Sequence, residues 1–186
     1  MRTKYWVMLA GMALVLAQST AAFAQLNANG GAPAVVSLNA VMSETLSVSA
    51  APGTLNFTPL NPNGTTHGDA AISINTAWVL QPSRGSLNVW AYFAGATALT
   101  NTSDATAIIP VTSVTGKVNA GSFQGFNDPL GAFAPGTSLS IFSVGVLGKN
   151  KNNSQTDTLA LKVDTTGAGM PAGTYTGTLF IQAVAN

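Results

Sequence analysis

Beyond its first 24 residues this chain alternates apolar and small polar side chains with a period of two, and no useful length of it keeps a helical period. That alternation puts one apolar face on each segment, the pattern of half-buried β-strands. From Val36 the even positions read Val36, Leu38, Ala40, Met42, then Leu46, Val48 and Ala50 beyond Glu44. The odd positions are mostly Ser, Thr and Asn. This run is longer than an ordinary strand of about five or six residues, so a bend near Ser43–Glu44 is expected. It would give two strands, or one that changes sheet.

The same reading continues along the chain. Leu55 and Phe57 alternate in a short strand that stops at Pro59, and residues 60–69 are loop. Ile72, Ile74, Trp78 and Leu80 share one parity before the turn Pro82–Gly85. In residues 86–94, Leu87, Val89, Ala91 and Phe93 take one face, while Trp90 and Tyr92 take the other. Ile108–Val114 is a strand interrupted by Pro110, hence an edge. Residues 138–147 form a strand of ambiguous facing, and residues 149–155 turn the chain. Leu159, Leu161 and Val163 follow on one face. The last strand turns Tyr175, Gly177, Leu179, Ile181 and Ala183 inward. About eight short strands punctuated by Gly, Pro and Asn predict an all-β fold, a two-sheet antiparallel sandwich, over residues 35–186. Residues 116–136 differ in texture: rich in Gly and Pro, yet carrying Phe123, Phe126, Leu130 and Phe133. A loop that long is functional or packed down over the core.

The first 24 residues read as a cleavable export signal. A short basic start (Arg2, Lys4) precedes the uncharged run Val7–Ala17, and Ala22-Phe23-Ala24 offers small residues for cleavage. A spanning helix needs about 20 apolar residues, roughly twice this run. Residues 25–34 (QLNANGGAPA) read as a flexible lead-in. The expected location is secreted: periplasm, cell surface or extracellular, with no membrane insertion after signal cleavage.

Composition narrows the partners. The chain has 7% charged residues and no cysteine, against roughly 25% charged in an ordinary domain. Residues 25–186 hold five basic and six acidic side chains, for a formal net charge of −1. No basic patch for nucleic acid is foreseen. Without cysteine, disulfide, zinc-thiolate and thiol-nucleophile chemistry are all excluded, and stability rests on apolar burial.

The closing segment MPAGTYTGTLFIQAVAN, with TDTLALKV before it and ETLSVSAAPGTLNF near the start, resembles exported immunoglobulin-like domains of pilin-like and spore-coat-protein-U-like type. Gly173, Tyr175, Leu179 and Ile181 stand where that group has its Gly-x-Tyr-x-x-x-hydrophobic strand. The resemblance implies an immunoglobulin-like sandwich whose subunits assemble when an extended N-terminal segment of one fills a groove in the next. Such donation is β-augmentation, with main-chain hydrogen bonds for affinity and alternate side chains in pockets for specificity. Val36, Leu38, Ala40 and Met42 are the candidate donor residues. The competing reading makes them the domain's own first strand, since exposed apolar strands are rare.

Chemistry-bearing residues are few. The single histidine, His67, precedes Asp69 in a polar turn, and one His with one carboxylate falls short of the three protein ligands of catalytic zinc. Asp104, Asp128, Asp157 and Asp164 are expected in turns rich in Asn, Gly and Thr, where Asp serves local hydrogen bonding. No Gly-x-Ser-x-Gly elbow occurs. The sequence therefore predicts no enzyme, no metal site and no cofactor. Trp90 and Tyr92 are the candidate binding platform, for a sugar ring or a protein, unless the chain after residue 94, with Leu99 and Ile108, covers them. The leading expectation is an exported structural or adhesive β-sandwich protein of the cell surface, with protein partners or self-association and a fibre subunit as its specific form. The alternative is a carbohydrate-binding module built on Trp90 and Tyr92.

Overall fold

The computed structural model of the chain describes residues 36–186. The export signal expected at residues 1–24 and the flexible segment 25–34 lie outside the described residues. Residues 36–41 carry no regular structure, and Met42–Asn186 form a β domain. The alternation that begins at Val36 becomes a strand only at β1 (Thr45–Ala51). The single-stranded stretch before it keeps its apolar side chains in water: Val36 is 78%, Leu38 90% and Met42 79% exposed.

Among the described residues the strands pair antiparallel throughout and form three sheets. The largest runs in the order β1, β3 (Ile72–Val79), β10 (Asn152–Asp164), β7 (Val114–Val118) and β8 (Phe123–Gly125), and the short β2 (Thr65–His67) also pairs with β10. The second sheet places β4 (Ser86–Tyr92) between β12 (Phe180–Ala185) and β9 (Ser138–Gly145). The third places β5 (Thr97–Asn101) between β11 (Tyr175–Thr176) and β6 (Ile108–Pro110). All three contribute to one apolar core. Ile72, Ile74, Leu159, Leu161 and Val163 of the large sheet pack there with Val89, Ala91, Ala98, Ile109, Leu139 and Ile141 of the two smaller ones. Each Ile, Leu or Val among them stabilises by about 1.5–3 kcal/mol when fully buried, which lets a cysteine-free chain hold together. A smaller cluster of Trp78, Leu80, Leu87 and Val146 closes one end, and the Trp78 indole N–H donates to the Asn150 carbonyl oxygen at 2.8 Å.

Several strands follow the sequence pattern closely. In β3 burial alternates strictly, with Ile72, Ile74, Thr76 and Trp78 inward. In β4, Leu87, Val89 and Ala91 are buried on one face, as their parity predicts. Others depart from it for identifiable reasons. The ambiguous facing of residues 138–147 comes from a β-bulge. Val89 pairs with Phe142 while Trp90 pairs with Ser140, leaving Ile141 extra. One added residue moves the inward parity from Leu139 and Ile141 to Val144 and Val146, because side chains alternate strictly with residue number. Pro110 does mark an edge, at the end of β6. A 3-10 turn at Val111–Ser113 then carries the chain into the large sheet as β7.

Several expectations are corrected: the described strands form three sheets rather than two, and Thr65–His67, expected as loop, pair with β10 as β2. Leu55 and Phe57 pack partly buried against the core, but their segment belongs to no strand. The stretch after residue 94 contains β5, hidden in the sequence by its Thr and Asn content. The final strand is broken. β11 pairs with β5 and β12 pairs with β4, so Gly177–Leu179 cross from one sheet to the other. Gly177 permits the crossing, because a Cβ there would collide with the Ala98 carbonyl oxygen.

Candidate functional site

The C-terminal segment lies at a sheet border for its whole length. β11 is an end strand of the third sheet and β12 of the second, so each has a strand partner on one side only among the described residues. Alongside runs the strandless segment Pro52–Leu60. Its conformation is fixed at Asn56, whose backbone N–H and side-chain amide both donate to the Asp69 carboxylate, at 3.1 and 2.8 Å, while the Asp69 N–H donates to the Asn56 carbonyl oxygen. These bonds hold Asp69 below the usual carboxylate range. Asp69 is therefore committed to Asn56, and His67 packs instead edge-on to Phe123, with ring centroids 5.4 Å apart.

Between the two segments lies a groove. One part, about 360 Å³, is lined by Leu55, Phe57, Leu99, Leu161, Leu179 and Ile181 among others. It is continued by a second part of about 450 Å³ that shares Leu55, Phe57, Leu99 and Gly177 and reaches Tyr175. The walls are mainly apolar side chains in the first part and mixed in the second, where Asn56, Thr58, Thr174 and Thr176 join them, and the floor reaches the core residues Ile72 and Leu161. An apolar channel beside an unpaired strand border offers main-chain hydrogen-bonding groups and side-chain pockets together. A larger hollow of about 600 Å³ lies between the end strands β8 and β9, lined by Gln124, Gly125, Leu139 and Ser140 together with Ser122, Asn127 and Asp128.

The chain enters β1 through a fixed point. Arg84 donates from Nε and Nη2 to the two Glu44 carboxylate oxygens, at 2.9 and 3.2 Å, and from Nη1 to the Ala185 carbonyl oxygen at 3.2 Å. The guanidinium holds Glu44 below its ordinary pKa. The candidate donor residues Val36, Leu38, Ala40 and Met42 all precede this anchor, and all four are exposed.

Trp90 and Tyr92 part company in the structure. Trp90 is 8% exposed, belongs to neither apolar cluster, and has an indole N–H that is buried without a partner. It has no ring face to offer. Tyr92 is half-buried and stacks between Phe133 at 5.5 Å and Phe180 at 5.3 Å, with its hydroxyl 2.9 Å from Gln182 Oε1. Phe180 sits directly across from Tyr92 in the β4–β12 register and is 42% exposed. Leu99 instead packs inward against the core, and Ile108 remains 42% exposed. Sequence reading missed Phe133 and Phe180 as members of this face. The aromatic residues of 116–136 were its only signal, and Phe126 of the same stretch turns into the core against Phe93 at 5.0 Å.

Three of the remaining carboxylates are engaged locally. Asp104 binds Thr106, Asp128 binds the Leu130 N–H, and Asp164 binds the Thr166 N–H. The Thr106 and Thr166 contacts hold Asp104 and Asp164 below the ordinary carboxylate range. Asp157 lies not in a turn but within β10; it is 3% exposed and accepts from Asn119 Nδ2 at 2.8 Å and Gln155 Nε2 at 3.2 Å. Among the described residues no three His, Asp or Glu side chains come close enough to hold a metal ion. No protein-family model and no curated protein sequence matches the chain.

Proposed function

We propose that this chain is an exported, non-enzymatic structural or adhesive subunit of the cell surface, an immunoglobulin-like sandwich that assembles by strand donation between copies. The observation that carries the reading is the apolar groove beside β11 and β12. Its partner in the proposal is residues 36–42 of another copy. Seven extended residues span about 23 Å, which covers most of the roughly 30 Å that the nine bordering residues, Gly173–Ile181, would reach if extended. Val36, Leu38, Ala40 and Met42 would alternate into it while the intervening Ser37, Asn39 and Val41 face away. The charge-poor sequence suits a face that meets other copies without charge repulsion.

Deletion of residues 25–42 from the exported protein is the direct test. The expected result is a folded protein that no longer self-associates, with association restored by a synthetic peptide of residues 34–44 linked in tandem. A wild-type protein that stays monomeric at high concentration by sedimentation would sink the reading.

A second reading rests on Tyr92. The stacked set Phe133, Tyr92 and Phe180, with Gln182 beside it, offers aromatic surface and a polar group for a sugar ring. This moves the carbohydrate platform away from Trp90. Glycan-array binding that survives in wild type and disappears in Phe180→Ala supports it, and binding indifferent to Phe180→Ala removes it.

A further inference from the structure

We propose that the outer face of the six-stranded sheet carries a site for a tetrahedral oxyanion, phosphate or sulfate, formed by His67, Lys117 and Lys162 around the ring of Phe123. Four strands converge to make it. In β10 the inward residues are Leu159, Leu161 and Val163, and in β7 they are Val114 and Gly116, which leaves Lys162 and Lys117 outward. His67 of β2 lies directly opposite Lys162, and Phe123 of β8 lies directly opposite Lys117. The Lys162 ammonium is 5.0 Å from the Phe123 centroid and the Lys117 ammonium 5.7 Å, both within cation–π reach. His67 meets the same ring edge-on at 5.4 Å.

This concentration is unusual for the chain. Two of the five basic residues after residue 24, and the single histidine, gather on one phenyl ring. Among the described residues the one ion pair is Arg84–Glu44, so neither lysine is neutralised by a contacting carboxylate. Two ammonium groups beside one ring concentrate positive charge there, the sign an oxyanion needs. In the β7–β10 register Thr115 stands opposite Lys162, and its hydroxyl is buried without a hydrogen-bond partner. The cluster thus carries positive charge that no carboxylate contacts among the described residues. Asp164, two residues along β10, is the nearest acidic neighbour in this register. Its carboxylate is tied to Thr166 and feels the Lys162 charge, which limits affinity and makes it sensitive to salt.

Titration of the ¹⁵N-labelled protein with sodium phosphate, against sodium chloride at equal ionic strength, tests the site. The expected result is saturable phosphate-specific shifts at the amides of His67, Lys117, Phe123 and Lys162. Lys117→Gln and Lys162→Gln should each weaken binding by about tenfold. Phe123→Leu should weaken it without altering any charge, whereas Lys149→Gln should leave it unchanged. A parallel arm compares inorganic sulfate with a sulfated oligosaccharide. Tighter binding of the oligosaccharide assigns an ester-borne anion, and equal binding assigns the free ion. Equal shifts in phosphate and chloride, or weakening by Lys149→Gln as large as by Lys162→Gln, overturns the proposal. The site stands on residues separate from the groove, so loss of either reading leaves the other intact.

Discussion

Leu38 leaves 90% of its surface in water, so a Leu38→Asp substitution removes no contact that holds the domain together. The free energy of unfolding should move by no more than about 0.5 kcal/mol, the range of ordinary surface changes. Assembly should respond very differently. A leucine taken from this exposure into an apolar groove gains about 2 kcal/mol, and Val36 and Met42, at 78% and 79% exposed, gain comparable amounts. The three together contribute about 6 kcal/mol before the cost of ordering the segment. Aspartate at position 38 forfeits the leucine share and adds the burial of a carboxylate, so the loss exceeds about 3 kcal/mol, a hundredfold or more in affinity. Sedimentation velocity across a concentration series reads the association, and thermal unfolding of the same samples reads the fold. The expected pair of results is unchanged unfolding with association lost. Association equal to wild type in Leu38→Asp refutes the donor role of this segment. A large drop in unfolding temperature refutes instead the claim that Leu38 is dispensable to the domain.

Other outcomes follow from the packing and the charges. Ile74, fully buried in the core, should cost about 2–5 kcal/mol when replaced by alanine, measured by denaturant unfolding; a loss below about 1 kcal/mol would contradict its place in the core. Gly177→Ala should destabilise by about 1–3 kcal/mol, because the added methyl meets backbone at Ala98 rather than a side chain that can turn away; an unchanged melting temperature would show that the crossing between sheets relaxes freely. Glu44, Asp69, Asp104 and Asp164 are all held below their ordinary values of 4.5 and 3.8. Their folded forms therefore bind fewer protons than the unfolded chain, so their contribution is present above about pH 4.5 and is lost as pH falls through the lowered values. Unfolding free energy measured between pH 6 and pH 2 should decline on that limb, and Glu44→Gln should flatten part of the decline. A stability flat down to pH 2 would sink this account.

Much of the β-domain was legible in the sequence where a strand is buried on one face and regular. β3 and the first half of β4 show this best: apolar parity predicts burial because the pleat alternates sides without exception. Legibility fails where the pleat itself is interrupted. The bulge at Ile141 moves the inward face by one residue in mid-strand, and Gly177–Leu179 divide a single apolar run between two sheets. It fails again where pairing is decided by distant partners. The Thr- and Asn-rich β5 becomes a strand because β6 and β11 flank it, while the apolar Leu55 and Phe57 pack against the core without a strand to join. For the candidate sites, Tyr92 and the donor segment carried sequence signals. The groove, Phe180 and the Lys117–Lys162–Phe123 cluster did not, since each joins residues far apart in the chain, and Phe133 showed only as one aromatic of residues 116–136.

The sequence by itself determined an all-β chain without disulfides and with few charges, because periodicity, cysteine content and composition are local properties that need no partner. The tertiary structure alone decided which apolar residues stay outside the core. Leu38 and Val48 lie in one alternating run and share its parity, yet Leu38 is 90% exposed and Val48 packs partly buried against the core. The physical reason is pairing. Val48 lies in β1 opposite Thr76 of β3, over an existing core, whereas the run at Leu38 belongs to no strand among the described residues. Alternation supplies a face, and only the fold supplies something for that face to cover.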